Sequence, residues 1–438
     1  MSEVRPFHGI RFNQTKTPDI AKVICPPYDI ISPAEQSAIH SRSPYNVVRL
    51  EFGLDLPGDS LSNNKYNRAA ETWGAWIRDG ILQKEGAPSF YVHKHQFHHG
   101  DRTLMRTGLI ACVRLEPWEK KVVLPHEHTG AKAKEDRLNL MRACRANISP
   151  ILSFYLDPTG SVASILKKAQ QIPPLLRADQ ENGEAHWLWN ISNEDDTRTI
   201  ESYFADRSIF IADGHHRYET ALNYQQEVRS ATTSGDKTGA DYVMMTLVES
   251  SDPGLLILPQ HRLVKCSGDR LLELKAKLQS AFKVESLPIA GRSAAVRAKY
   301  IDDSLSRHRK AGMAIGAVGL EKGKLSILRE HQGRDYRSMM PAGRSSGYYR
   351  LEVGRLQHLV LDELEASKKI EVSYVPEESD VLDGVSSGRY QVGFLIAPLS
   401  AKDIEGIALA GDKVPRKSTY FFPKLPTGLV MRSLAEGL

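Results

Sequence analysis

The stretch FIADGHHRYETAL (210–222) constrains this chain more than any other segment. An apolar run stops at Asp-Gly, and a helical pattern starts at the next residue. SIFIADG (208–214) has the length and apolar content of a short buried strand, and HHRYETALNYQQEVRSA (215–231) reads as a helix. A strand that turns through one glycine into a helix is a building unit of α/β folds. Gly214 permits backbone conformations and a close ligand approach that a Cβ would obstruct. The first turn of such a helix carries N–H groups without intrahelical partners and the positive end of the dipole, which together favour an anion. Asp213, His215, His216 and Arg217 surround that point. Arg217 offers a forked donor for phosphate, the histidines can donate to phosphate oxygens, and Asp213 can hold magnesium or accept a hydroxyl proton. Each also has a structural account: Asp213 as a helix cap, Arg217 paired with Glu219 or another carboxylate, His216 as a satisfied core imidazole.

Periodicity extends the same texture over most of the chain. Helices are expected at 68–82, 134–145, 196–207, 270–282, 349–367 and 400–411, the last opened by Ser400 and Asp403 and closed by Gly411. Strands are expected at 149–157, 241–250 and 389–398, and hairpins at 89–116 and 312–328, the first turning at Gly100-Asp101. A polar loop is expected at 230–241. The fold class is therefore α/β or α+β with mixed sheets. A chain of 438 residues exceeds one ordinary core. The expected division is 1–88, 89–265 and 266–438, with the central region carrying the DGHHR turn.

Charge narrows the partners. The 58 basic and 53 acidic residues leave a formal net charge of +5, with no concentrated basic run. That argues against a nucleic-acid partner and suits a small anionic ligand. Cys25, Cys112, Cys144 and Cys266 are widely spaced, which argues against a zinc–thiolate site or a disulfide framework. No apolar run approaches membrane-spanning length and the first residues show no apolar leader, so a cytoplasmic location is expected.

Further segments hold candidate chemistry. In LPHEHT (124–129), Glu127 is a candidate general base, while His126 and His128 face one side of an extended segment and are candidate metal ligands with Asp213 or His215. A polar loop capped by Thr129 is the alternative. Lys132 and Lys134 follow and are candidate phosphate contacts. In KSTYFFPK (417–424), Lys417, Ser418 and Thr419 match the end of a phosphate loop in residue type, without the glycine spacing a Walker motif needs. An edge strand is the alternative there. Tyr28, Asp29, Asn46 and Arg49 are candidate contacts for a polar substrate, or parts of a Pro-Pro turn. His93, His95, His98 and His99 alternate near a hairpin tip and are weaker metal candidates.

Long ordered strings carry a resemblance: CPPYDIIS (25–32), LPHEHTGAKAKEDRL (124–138), ANISPILSFY (146–155), IADGHHRYETAL (211–222), LILPQHRLV (256–264) and KSTYFFPKLPTGLV (417–430). They resemble the domain-of-unknown-function family 1015 over nearly the whole chain, with Val414 and Arg416 as departures from its pattern. DGHHR also resembles the phosphate-binding helix start of the ParB and sulfiredoxin superfamily, which includes free-serine kinases. That second resemblance implies a ParB/sulfiredoxin-like core and nucleotide phosphate binding at Gly214, His215, His216 and Arg217. Gly214-His215 stands where sulfiredoxin needs a cysteine, so sulfinic acid reduction is not expected. By analogy, a nucleotide-dependent phosphotransferase on a small hydroxylated metabolite such as free serine is expected, using ATP or ADP with Mg²⁺. Glu127, Asp213 and His215 would be catalytic, and Lys417, Ser418 and Thr419 would assist at the nucleotide. The expected partners are the nucleotide and the metabolite, with a homodimer allowed. Two other classes remain open: a non-catalytic nucleotide-binding regulator, and a metal-dependent hydrolase built on His126, His128, Asp213 and His215.

Overall fold

The computed structural model describes residues 2–231, 238–291, 293–435 and 437, with no side chains described for 131–133. Residues 232–237 of the expected polar loop and the Lys132 side chain lie outside the described residues. The chain divides into two units: Met1–Pro125, Thr129–Leu256 and Pro423–Leu438 form the first, and His126–His128 with Ile257–Phe422 form the second. The expected border at 88 does not separate units. Val4 pairs with Val113 and Arg5 with Cys112, so the first residues are sewn into the central sheet.

The first unit is built on a nine-stranded mixed sheet. Its strands are β1 (Val4–Arg5), β2 (Phe90–His99), β3 (Arg102–Arg114), β4 (Val123–Leu124), β5 (Ile151–Tyr155), β6 (Leu176–Asp179), β7 (Ala185–Ile191), β8 (Ile209–Asp213) and β9 (Tyr242–Glu249). The order is β4-β8-β5-β9-β3-β2-β7-β6, with β1 beside β3. β8 runs parallel to β4, and β9 parallel to β5, while the remaining pairs are antiparallel. The central strands are apolar on both faces; Ile151–Tyr155 is buried throughout, as expected for strands covered on both sides. The hairpin turn lies at Gly100, with φ 55°.

Two helices bear on the site: α1 (Ala131–Cys144) and α2 (His215–Ala231), which pack together. α2 buries Tyr218, Ala221 and Tyr224 on its inner side. The Tyr218 hydroxyl donates to the Glu116 carbonyl (2.8 Å), pinning the helix to the loop after β3. The expected turn of the chain at Gly214 is present, and α2 has the expected bounds.

The second unit holds a six-stranded sheet of β10 (His261–Lys265), β11 (Lys283–Pro288), β12 (Ala314–Val318), β13 (Lys324–Arg329), β14 (Glu371–Val375) and β15 (Val392–Leu395), in the order β11-β13-β12-β15-β10-β14. All its pairs are antiparallel. Ser400 and Asp403 form the expected reciprocal cap. The segment expected as one helix at 349–367 is helical with a wide turn at Gln357–Leu361. The whole is a mixed α/β protein with several sheets, as the sequence implied. No helix among the described residues is long and apolar enough to cross a membrane.

Candidate functional site

The site begins with an irregularity in a strand. β8 pairs with β5 as Phe210 to Phe154 and Ile211 to Ser153, but the next pair is Asp213 to Leu152. Ala212 is the extra residue of a bulge, a device that re-aims side chains at strand ends. Gly214 follows with φ +96°, a region that disfavours side chains. A Cβ there would lie 2.9 Å from the Arg217 guanidinium. Gly214→Ala should therefore cost about 1–2 kcal/mol from backbone strain alone and displace Arg217. Chemical denaturation of the variant checks this; unchanged stability would show that the corner relaxes freely.

Asp213 is the hub of the corner. One carboxylate oxygen accepts from Arg217 Nη2 (2.9 Å), and the other accepts from Lys424 Nζ. Burial alone would raise its proton affinity, but Lys424 and Arg217 outweigh that and hold the carboxyl well below the usual range. Arg217 Nη1 donates to the Pro150 carbonyl (2.6 Å). The partner of Arg217 is thus Asp213. Glu219 instead accepts from Thr129 Oγ1 (2.5 Å) and Lys134 Nζ (2.8 Å). His215 is buried at the helix start, and His216 Nε2 accepts the Gly130 N–H (2.8 Å). Accepting at Nε2 places the proton of a neutral His216 on Nδ1.

Beside Arg217 lies a cavity of about 40 Å³, lined also by Glu51, Arg137, Ser149 and Thr220. That is room for a water, not for a metabolite. Glu51, 2% exposed, accepts from Ser149 Oγ (3.0 Å). Burial raises its proton affinity against the pull of Arg137 and Arg217. Tyr28 reaches this region through Arg137, whose guanidinium sits 3.9 Å from its ring centroid; burial pushes the phenol up to about 12. Asp29 is exposed. Asn46 is fully buried, and its amide is spent on the Lys22 and Ile24 carbonyls and the Val48 N–H. That assigns Asn46 to the fold, not to a substrate. Arg49 Nη2 donates to the His40 carbonyl (2.9 Å).

A polar chain braces the corner from behind. Arg106, 2% exposed, donates to the Pro423 carbonyl (2.8 Å) and to His95 Nδ1 (3.2 Å). With Nδ1 accepting, a neutral His95 carries its proton on Nε2, which faces Glu184 (2.8 Å). The residue after Pro423 is Lys424, which meets Asp213. His93 and His186 are linked at 3.2 Å alongside, with Gln180 on the far nitrogen of His186 (2.9 Å). Among the described residues, the group able to hold a metal is His95, Glu184 and His186. It contains none of His126, His128, Asp213 and His215, the set expected from sequence. A metal-bound histidine normally donates its second N–H outward. Here that nitrogen of His95 accepts from a cation, which fits a structural network better than a metal centre. His98 is exposed at the hairpin tip.

The remaining candidates belong to the second unit. Thr419 Oγ1 donates to Glu127 Oε1 (3.1 Å) and lies 3.0 Å from His126 Nε2. The single hydroxyl proton goes to the carboxylate, so His126 donates to the hydroxyl oxygen. Its Nε2 is thus spent on a hydrogen bond. Ser418 is buried and donates to the Pro415 carbonyl (2.5 Å), closing a turn instead of facing a ligand. Lys417 is exposed, with φ 57°. His128 is exposed, and partial desolvation together with Lys413 and Arg344 lowers its proton affinity. Thr419–Phe422 is a strand, the alternative reading of that segment.

Sequence reasoning missed Glu51, Arg106 and Lys424. Lys424 stood inside a quoted string, but no spacing tied any of the three to Asp213.

Comparison with known proteins adds a family. The model described as "Protein of unknown function (DUF1015)" matches residues 4–342. No curated protein matches the chain. Among solved structures, a conserved hypothetical protein from Pyrococcus furiosus is 14% identical, covering 74% of this chain and 95% of its own, with a TM-score of 0.36. A free serine kinase in complex with AMP is 14% identical, covering 74% and 92%, with a TM-score of 0.37. SbnI with a C-terminal truncation, from Staphylococcus aureus, is 12% identical, covering 75% and 87%, with a TM-score of 0.36. Scores of this size do not establish a shared fold.

Proposed function

The chain belongs to the DUF1015 family of proteins of unknown function, and from the strand–helix corner of its first unit we propose a nucleotide-dependent phosphotransferase that holds phosphate there. The convergence of cations at the corner carries the reading. Arg217 and Lys424 both pair with Asp213. The positive end of a 17-residue helix points at the same place. A phosphate would meet this positive field, with His215 and His216 at the helix start beside it. Phosphoryl transfer asks chiefly for such positioning and charge neutralisation.

The residues fit an anion better than a bare metal ion. Each Asp213 oxygen already faces a cation, so Mg²⁺ enters as the counter-ion of the nucleotide's own phosphates. The depressed proton affinity of Asp213 also makes it a poor base. The acceptor is a small hydroxylated metabolite, free serine being the first to test. Its proton goes to Glu127, as the motif implies. Glu127→Gln should lose transfer and keep nucleotide binding.

The decisive experiment is single turnover with ATP or ADP labelled on the terminal phosphate, with Mg²⁺ and hydroxylated metabolites including serine. Label should appear on one metabolite. Nucleotide binding without transfer leaves a regulator and removes the enzyme. Arg217→Ala should weaken nucleotide binding by about 1.5–3 kcal/mol through lost charged hydrogen bonds. Unchanged affinity in a folded variant defeats the assignment of the corner.

A further inference from the structure

The second unit contains a cavity of about 490 Å³, within the ordinary range for small-molecule sites of about 300–1,000 Å³. The loop Lys413–Lys417 forms one wall, and Tyr374, Asp362 and Glu365 contribute to the others. Lys413, Arg416 and Lys417 all line it, and none forms an ion pair among the described residues. Asp362 is already engaged by His358 Nδ1 (2.6 Å) and Gln357 (2.8 Å). Glu365 accepts from the same Gln357 amide (2.7 Å). The loop therefore presents more positive charge than the cavity's carboxylates answer.

A second observation stands behind this wall. Arg262 is 1% exposed and lacks a carboxylate partner among the described residues; its Nη1 donates to the Gln260 carbonyl and its Nη2 to the Arg416 carbonyl (3.5 Å) of the loop, while its buried Nε has no hydrogen-bond partner. Its guanidinium lies 5.2 Å from the centroid of the Tyr374 ring. A buried guanidinium without a carboxylate partner is costly, and an anion bound beside the loop would offset part of that cost. The loop is also set at some expense: Lys417 holds a left-handed backbone, a strain that collects at ligand-binding loops.

We propose that this cavity is a ligand site for an organic phosphate bearing a flat ring, with the phosphate on the loop Lys413–Lys417 and the ring against Tyr374. Glu365 accepts from a hydroxyl or amino group of the same ligand. The site does not depend on the anion-binding corner of the first unit.

AMP is the test ligand, followed by equilibrium dialysis on the full chain. Arg416 and Lys417 are exposed, so R416E/K417E preserves the fold. The natural chain should bind one AMP that R416E/K417E loses, with at least 30-fold weaker affinity, and that R217A retains. Tyr374→Ala should weaken AMP about 10-fold or more by lost stacking and leave inorganic phosphate unaffected. AMP binding unchanged in R416E/K417E overturns the proposal, as does a chain that binds no AMP. Inorganic phosphate competing at the same concentration as AMP overturns the ring half of it. Loss of AMP in R217A alone, with R416E/K417E unaffected, overturns this site while supporting the corner.

Discussion

Asp213→Asn should bind inorganic phosphate roughly 30- to 150-fold more tightly than the natural chain while losing phosphoryl transfer and about 3 kcal/mol of stability. Asp213 pairs with both Arg217 and Lys424. Removing its charge makes the corner more positive by one unit. At about 6 Å and an effective dielectric near 20, one charge is worth about 2–3 kcal/mol, which sets the gain in affinity. The same removal takes that partner from two poorly solvated cations. Breaking a buried pair costs about 3–5 kcal/mol, and the 18% exposure of Asp213 places it at the lower end. Transfer fails because Asp213 is what aims Arg217 and Lys424. Titration calorimetry with phosphate and urea denaturation read the two effects separately. Weaker phosphate binding in the folded variant would mean that Asp213 builds the corner as a cap and that no anion replaces it.

Much of the frame of this site was readable because it is local. An apolar run, one glycine and a helical period lie within a few residues of each other, so strand, turn and helix followed from FIADGHHRYETAL. Ser400 and Asp403 were readable for the same reason. What escaped was non-local. Lys424 lies 211 residues from Asp213 in sequence. The bulge at Ala212 depends on the register of β8 against β5. The histidine cluster required the pairing of His95 with His186, and β6 and β7 were not anticipated because AHWLWNI mixes polar and aromatic residues without clean alternation. His93 and His95 were grouped with His98 by spacing, yet the strand sends the first two into the core and leaves His98 exposed. The second unit takes His126–His128 from the middle of the sequence, a crossing that no composition change marks.

The first unit should unfold cooperatively as pH falls below about 6.5, near the point where free histidine takes up its proton. His93, His95 and His186 are 3%, 0% and 0% exposed. Burial, aided by the charges of neighbouring histidines and Arg106, lowers the proton affinity of all three well below normal. The folded chain keeps them neutral while the unfolded chain protonates them, so the unfolded state binds more protons and stability drops with pH. The stability is whole above the unfolded value and drains away as pH falls from there toward the lowered folded values. Each histidine contributes about 1.4 kcal/mol per pH unit in that window, so three acting together remove about 4. A stability of about 5–15 kcal/mol is then exhausted within a few units. Glu51 and Asp252, whose proton affinities burial raises, offset this as pH nears the carboxylate range. Asp213 behaves oppositely to them, and its contribution is lost only at still lower pH. All five tryptophans, at 73, 76, 118, 187 and 189, lie in the first unit, so their fluorescence reports this unit alone. Urea midpoints between pH 7 and 5 should fall with a slope near three protons, and His186→Asn should reduce it by about one. A midpoint independent of pH across that range would mean that the three imidazoles are protonated or solvated in the folded chain, and the brace from Glu184 through His95 and Arg106 to Pro423 would lose its physical basis.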